Sequence, residues 1–140
     1  MEDFVPFGLA VKLEGKGFSW NCVSFYPLES FTGEYVDSCG DCYEVDFEKD
    51  ELYLNYPLHY KKHEAKCLPA PTTSQVLKWL RKEKGIYISI FVDDDSDTPV
   101  TYEIHKDSEC VCTHQGEYFA LKDWSKCELR AIEYVLDNLI

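Results

Sequence analysis

The steadiest hydrophobic pattern in the chain runs from residue 72 to residue 105. Val76, Leu77, Trp79 and Leu80 recur at helical spacing behind Thr72, and Gln75 stands three residues beyond that threonine, which predicts a helix opened by a capping box. Gly85 supplies the stop, because glycine alone takes the left-handed C-terminal conformation without steric cost. Ile86, Ile88, Ile90 and Val92 then alternate with Tyr87, Ser89 and Phe91, the period of a strand. Apolar residues in both registers predict that both faces are covered and that the strand is central. The polar stretch Asp93-Asp94-Asp95-Ser96-Asp97-Thr98-Pro99 breaks it, and Val100, Tyr102 and Ile104 alternate on the way back, so residues 86–105 read as a hairpin.

Weaker patterns fill in the rest. Residues 4–18 suggest a short first helix, with Pro6 in its first turn, Phe7, Ala10, Val11 and Glu14 at helical spacing, and Gly15 and Gly17 as stops. Residues 22–26, 43–47 and 51–56 read as strands, the last two rich in tyrosine, and a further strand is expected at about residues 118–121. Residues 57–71, bounded by Pro57, Pro69 and Pro71, read as a connection. The chain closes in a helix whose stripe is Leu129, Ile132, Val135, Leu136 and Leu139. Ser125 and Glu128 are its expected capping box, and Trp124 its staple onto Leu129. These elements predict an α+β fold: an antiparallel or mixed sheet of about four to five strands packed against two to three helices. With 140 residues, the chain is expected to form a single domain over residues 1–140.

Composition narrows the functional classes. Hydrophobic residues make up 45% of the chain, too much for a disordered segment even at a net charge of -12. No run reaches the roughly 18 apolar residues of a membrane helix, and the opening Met1-Glu2-Asp3-Phe4 carries acids where a secretory signal carries Lys or Arg, so a cytoplasmic location is expected. Seven cysteines are an odd number, which fits reduced thiols better than a fully paired disulfide framework. The negative charge is concentrated: Glu34, Asp37, Asp41, Glu44, Asp46, Glu48, Asp50 and Glu51 are opposed between residues 34 and 51 only by Lys49. Such a field repels phosphate backbones, which argues against direct nucleic-acid binding and allows a basic partner.

The cysteines are the strongest candidate metal ligands. Cys39-Gly40-Asp41-Cys42 has the spacing of a zinc knuckle, and Cys110-Val111-Cys112-Thr113-His114 adds two thiols and an imidazole. The second group is less apt, because one residue between Cys110 and Cys112 is tight for two ligands of one zinc. No metal or other cofactor is therefore assigned. A redox role for Cys39 and Cys42 is disfavoured, since the strand-like residues that follow them offer no helix N-terminus to lower a thiol pKa.

Other signals dissolve on inspection. Asp93, Asp95 and Asp97 lack the glycine and glutamate that a calcium-binding EF-hand loop places at its sixth and twelfth positions, where this chain has Thr98 and Ile104. A solvated turn is the expectation there. His59, His63, His105 and His114 stand in no motif with a serine or cysteine, and no two carboxylates are paired by the sequence, so no catalytic residue is assigned. Lys78, Arg81 and Lys82 share a helix face, as the polar side of any amphipathic helix does.

At Ala70-Pro71-Thr72, Trp79-Leu80-Arg81 and Gly85-Ile86 the chain resembles a group of small uncharacterised proteins encoded by phages and prophages of gut bacteria. In that group an Ala-Pro-Thr opening leads into a helix bearing a Trp-Leu pair, then Gly-Ile and a strand. The ending Ala131-Ile132-Glu133-Tyr134-Val135-Leu136-Asp137-Asn138-Leu139-Ile140 is similar too, as is the first helix with Phe4, Phe7, Lys16-Gly17-Phe18 and Cys22. Residues 27–66 lie outside the resemblance. It implies a source and brings no activity, cofactor or substrate.

The expectation that follows is a non-enzymatic interaction protein of a phage or mobile element, binding a basic host or phage protein through an acidic, tyrosine-rich surface. The alternatives are a structural zinc-binding module and a small enzyme of unrecognised type.

Overall fold

The computed structural model describes residues 3–36, 39–54, 67–93, 95–113 and 117–140. Three helices and three small antiparallel sheets, of two, two and three strands, make it an α+β protein. The largest sheet among the described residues has three strands, so the single sheet of four to five is not what they form. Contacts divide the chain into two compact units, Val5–Pro71 and Met1–Phe4 with Thr72–Ile140.

In the Val5–Pro71 unit, α1 (Phe7–Gly15) begins behind Pro6 and buries Leu9, Ala10 and Leu13. The expected stripe is off by one position, for Val11 is 46% exposed. Strand β1 (Phe25–Pro27) pairs antiparallel with β4 (Cys67–Pro69), a strand inside the region expected to be only a connection. Residues 55–66, with His59 and His63, lie outside the described residues. The Tyr26 hydroxyl donates 2.6 Å to the Val5 carbonyl, which removes the cost of burying a phenol, and its ring meets Phe7 edge-on at 5.5 Å. The second sheet pairs β2 (Phe31–Val36), which no sequence pattern announced, with β3 (Cys42–Phe47). Of the expected strand at 51–56, Tyr53 forms an isolated bridge to Phe25.

The other unit is built on β5 (Ile86–Val92), β6 (Val100–Lys106) and β7 (Glu109–Thr113), in the order β5-β6-β7. The expected 86–105 hairpin is present, but β6 is the central strand and β5 pairs only with β6 among the described residues. Tyr87, on the second face of β5, is 58% exposed, so that face is not covered as expected. Asp107 and Ser108, both with positive φ, make the tight β6–β7 turn without glycine. Phe119 continues the β7 side of the sheet by exchanging both backbone hydrogen bonds with Val100, at 2.8 and 2.9 Å, a single bridge where a strand was expected.

Helix α2 (Thr73–Lys84) carries the predicted capping box: Gln75 N–H donates to Thr72 Oγ1 at 3.2 Å, and Thr72 N–H donates to Gln75 Oε1 at 2.9 Å. Gly85 ends it at φ 65°, a left-handed dihedral that calls for glycine, while the nearest atom to a Cβ there, Asp107 Oδ1 at 2.8 Å, belongs to an exposed side chain that can move aside. Helix α3 (Trp124–Asn138) begins differently from expectation. A 3-10 turn, Leu121–Asp123, leads into it, Asp123 is the N-cap without a side-chain bond, and Ser125 and Trp124 already lie inside the helix. The Ser125 hydroxyl donates instead to Asp3 Oδ2 at 2.6 Å. The apolar stripe of α3 holds at its centre, where Ile132, Val135 and Leu136 are fully buried with Cys127 and Ala131 on a helix that packs against β5 and β6, while Leu129 and Leu139 are half-buried. Each such aliphatic side chain contributes about 1.5–3 kcal/mol. Lys106 Nζ donates to the Leu139 carbonyl at 3.3 Å, satisfying an orphan acceptor at the helix end.

Candidate interaction surface

The acidic segment singled out by its charge is the β2–β3 hairpin and the turn after it. Antiparallel pairing matches Phe31 with Phe47, Gly33 with Val45 and Tyr35 with Tyr43 in one set of positions, and Thr32 with Asp46, Glu34 with Glu44 and Val36 with Cys42 in the other. Directly opposed residues share a face of the ribbon, so Phe31, Phe47, Val45 and Tyr43 fall on one face and Thr32, Asp46, Glu44 and Cys42 on the other. In register, Glu34 stands opposite Glu44.

Aromatic packing anchors the base of the ribbon. Phe31 and Phe47 stack at 4.8 Å, and Phe47 also meets Phe25 at 5.7 Å and Tyr53 edge-on at 4.9 Å. Phe47 is 4% exposed. Toward the tip burial fades along β3: Val45 is half-buried, while Asp46, Glu44, Tyr43 and Cys42 are exposed, Tyr43 to 49%. The hydrogen bond from Thr32 Oγ1 to Asp46 Oδ1, 2.8 Å, holds one carboxylate on the acidic face.

The turn after β3 is tied down by its own polar groups. Glu48 N–H donates to the Tyr53 hydroxyl at 2.7 Å, Lys49 N–H donates to Ser30 Oγ at 3.0 Å, and Asp50 N–H donates to the Pro27 carbonyl at 2.9 Å. Asp50 sits at φ 65°, a left-handed conformation that aspartate tolerates better than most side chains. Glu48, Lys49, Asp50 and Glu51 are all exposed. The turn is therefore held through the backbone N–H groups of Glu48, Lys49 and Asp50, with its charged side chains exposed.

The remaining sequence candidates lie on several elements. Cys39 and Cys42 flank the hairpin turn and are exposed, and Cys110 is exposed on β7 in the other unit. His114 lies outside the described residues, among which no group of three or more His, Cys, Asp or Glu side chains is gathered for a metal. A bulge between Ile104 and His105 sets His105 opposite Cys110 and Ile104 opposite Cys112, with Val111 as the extra residue. Asp93, Asp95 and Asp97 are exposed, and the Tyr118 hydroxyl donates to Asp93 at 3.2 Å. His105 Nε2 lies 3.4 Å from Glu103 Oε2 on the same strand face. On α2, Arg81 stands 5.9 Å above the Tyr87 ring and Lys84 5.5 Å above that of Trp79, so these two cations rest on aromatic rings.

Two further groupings were not visible in the sequence. A cleft of about 160 Å³ runs along α3, with Tyr102, Glu117, Arg130, Glu133 and Asp137 among its walls, and Arg130 Nε lies 3.5 Å from Glu117. At the start of α3, burial and then the neighbouring Asp3 raise the pKa of Glu128, and burial with Glu128 and Glu117 pushes the Cys127 thiol up to about 11. Residues far apart in the chain make both, so spacing carried no signal for either. No helix among the described residues is long and apolar enough to cross a membrane. No model of a known protein family matches the chain, and no curated protein and no solved structure is significantly similar to it.

Proposed function

We propose that this chain is a non-enzymatic protein-interaction module whose docking element is the β2–β3 hairpin with the turn that follows it, and whose partner is a basic protein. The observation that carries the reading is the split of the ribbon into two kinds of face beyond the buried Phe47: apolar positions at Val45 and Tyr43, acidic ones at Asp46 and Glu44. A tyrosine beside carboxylates offers an amphipathic contact and a field that steers a cationic surface, while a phosphate backbone is repelled.

The resemblance of residues 70–86 and of the C-terminal helix to proteins of phages and prophages gives the setting, a mobile element in a gut bacterium, with the partner a host or phage protein. In that setting a dense row of carboxylates serves as a mimic of a polyanion and occupies a basic site. The experiment is affinity capture of the tagged protein from a lysate of such a host at low and at high ionic strength. A basic protein retained at low salt and released at high salt is the expected result, because screening shortens the reach of exposed charges from about 10 Å at 0.1 M to about 3 Å at 1 M. Retention that does not respond to salt would defeat the charge-based part of the reading.

A further inference from the structure

The three-stranded sheet has one edge at β5. Backbone bonds at the two ends of that strand fix which way its polar groups point. Asp93 N–H donates to the Pro99 carbonyl at 2.8 Å, and Asp107 N–H donates to the Gly85 carbonyl at 3.1 Å. In the register that sets Tyr87 opposite His105, Ser89 opposite Glu103 and Phe91 opposite Thr101, these bonds make the odd-numbered residues of β5 the hydrogen-bonded ones. The N–H and C=O groups of Ile88, Ile90 and Val92 therefore point away from β6. Val100, across from Val92, follows the same alternation, since its own N–H and C=O turn away from β5 to Phe119.

That edge is open to solvent. Ile88 and Ile90 share a face with Ile104 and Tyr102, which are buried, yet are themselves only half-buried, so the cover over that face thins toward β5. Tyr87, Ser89 and Val92 are exposed. The seven residues Ile86–Val92 hold no charge, no proline and no glycine, so the strand lacks the devices that keep an edge from pairing. An edge of this kind takes on a further strand through its main chain.

The two ends of β5 select the strand. Its start follows the last turn of α2, with Arg81, Lys82 and Lys84, and Arg81 stands 5.9 Å above the Tyr87 ring. Its end runs into the exposed Asp93, Asp95 and Asp97, and the Tyr118 hydroxyl donates to Asp93 Oδ2 at 3.2 Å. Cations and carboxylates thus stand about 20 Å apart along one edge. An antiparallel strand, the more stable pairing, meets Asp93 with its N-terminal end and Arg81 with its C-terminal end. A net charge of -12 on each chain disfavours a second copy as the occupant.

We propose that the β5 edge binds an extended segment of another protein, paired antiparallel, with Lys or Arg at its N-terminal end, alternating apolar side chains between, and Asp or Glu at its C-terminal end. Backbone bonds to Ile88 and Ile90 attach the segment, and the end charges set its direction. This site does not rest on the acidic hairpin, which belongs to the other compact unit.

The test is amide hydrogen exchange followed by NMR on the full chain, with and without a synthetic peptide as long as β5. The peptide alternates Val and Thr between two Lys at its N-terminal end and two Glu at its C-terminal end. Exchange at Ile88 and Ile90 is expected to slow on binding, while Ser89 and Phe91, already bonded to β6, change little. Exchanging the Lys and Glu ends should weaken binding about tenfold. An Asp41→Asn, Glu44→Gln, Asp46→Asn variant should bind the peptide as the parent does, so this site and the hairpin fail separately. Three results overturn the proposal: unchanged exchange at Ile88 and Ile90 in millimolar peptide, equal affinity for the two peptides, or protection of those amides that grows with protein concentration alone, which gives the edge to a second copy.

Discussion

The rings of Phe31 and Phe47 stack across the β2–β3 ladder, 4.8 Å apart and 23° from parallel, at the point where the ribbon leaves its buried base. On one side of that pair lie Phe25 and Tyr53, and on the other the ladder continues into exposed acidic positions. The stacked pair thus separates the part of the hairpin that holds the fold from the part available to a partner.

Truncating the two ends of this ribbon should therefore have different consequences. Phe47→Ala removes a ring that is 4% exposed, and about 3–5 kcal/mol of stability is expected to go with it. Tyr43→Ala, at a ring 49% exposed, is expected to cost less than about 1 kcal/mol while weakening partner capture. Urea denaturation of the two variants checks the stability half. Equal losses would mean that the tip is part of the core.

Adjacent threonines at the start of α2 should respond with opposite signs. Thr72→Ala deletes the acceptor for Gln75 N–H and is expected to cost about 1 kcal/mol. The Thr73 hydroxyl is buried without a hydrogen-bond partner among the described residues, so Thr73→Val is expected to be neutral or to stabilise by up to about 1 kcal/mol. Denaturant midpoints of both variants decide it, and a loss in Thr73→Val comparable to that in Thr72→Ala would reveal a partner for that hydroxyl.

Glu128 gives stability a pH dependence of definite sign. Its folded pKa is raised by burial and then by Asp3, so the native state favours the protonated carboxyl. The contribution is fully present below the ordinary glutamate range and is lost as pH rises through the raised pKa. Glu128→Gln should therefore be more stable than the parent at neutral pH, with the difference closing in acid. Unfolding midpoints measured across that range test this, and a variant less stable than the parent at neutral pH would reverse the sign.

What the sequence revealed of the fold was what local chemistry decides. Thr72, Gln75 and Gly85 act within one helix, and the alternation from Ile86 to Ile104 is a property of a single hairpin, so all of these read through. Ser125 and Glu128 have the same spacing as Thr72 and Gln75 and do something else, because Asp3, from the far end of the chain, takes the Ser125 hydroxyl. Strand β2 went unseen because Gly33 and Glu34 interrupt its alternation, and β4 because Pro69 reads as a breaker. Both strands are fixed by partners, Phe47 to Cys42 and Pro27 to Phe25, that no window on their own sequence contains. The acidic charge of residues 34–51 was plain from composition. Its division between the faces of a ribbon was not, since register across a turn decides it.

The most direct test of the account compares the parent with an Asp41→Asn, Glu44→Gln, Asp46→Asn variant in capture from host lysate at low salt, after thermal unfolding has shown that the variant remains folded. These carboxylates lie on the exposed part of the hairpin, so the account predicts that the basic protein retained by the parent is lost from the variant. Equal retention by both, or no basic protein retained by the parent, would contradict the claim that this hairpin is the docking element.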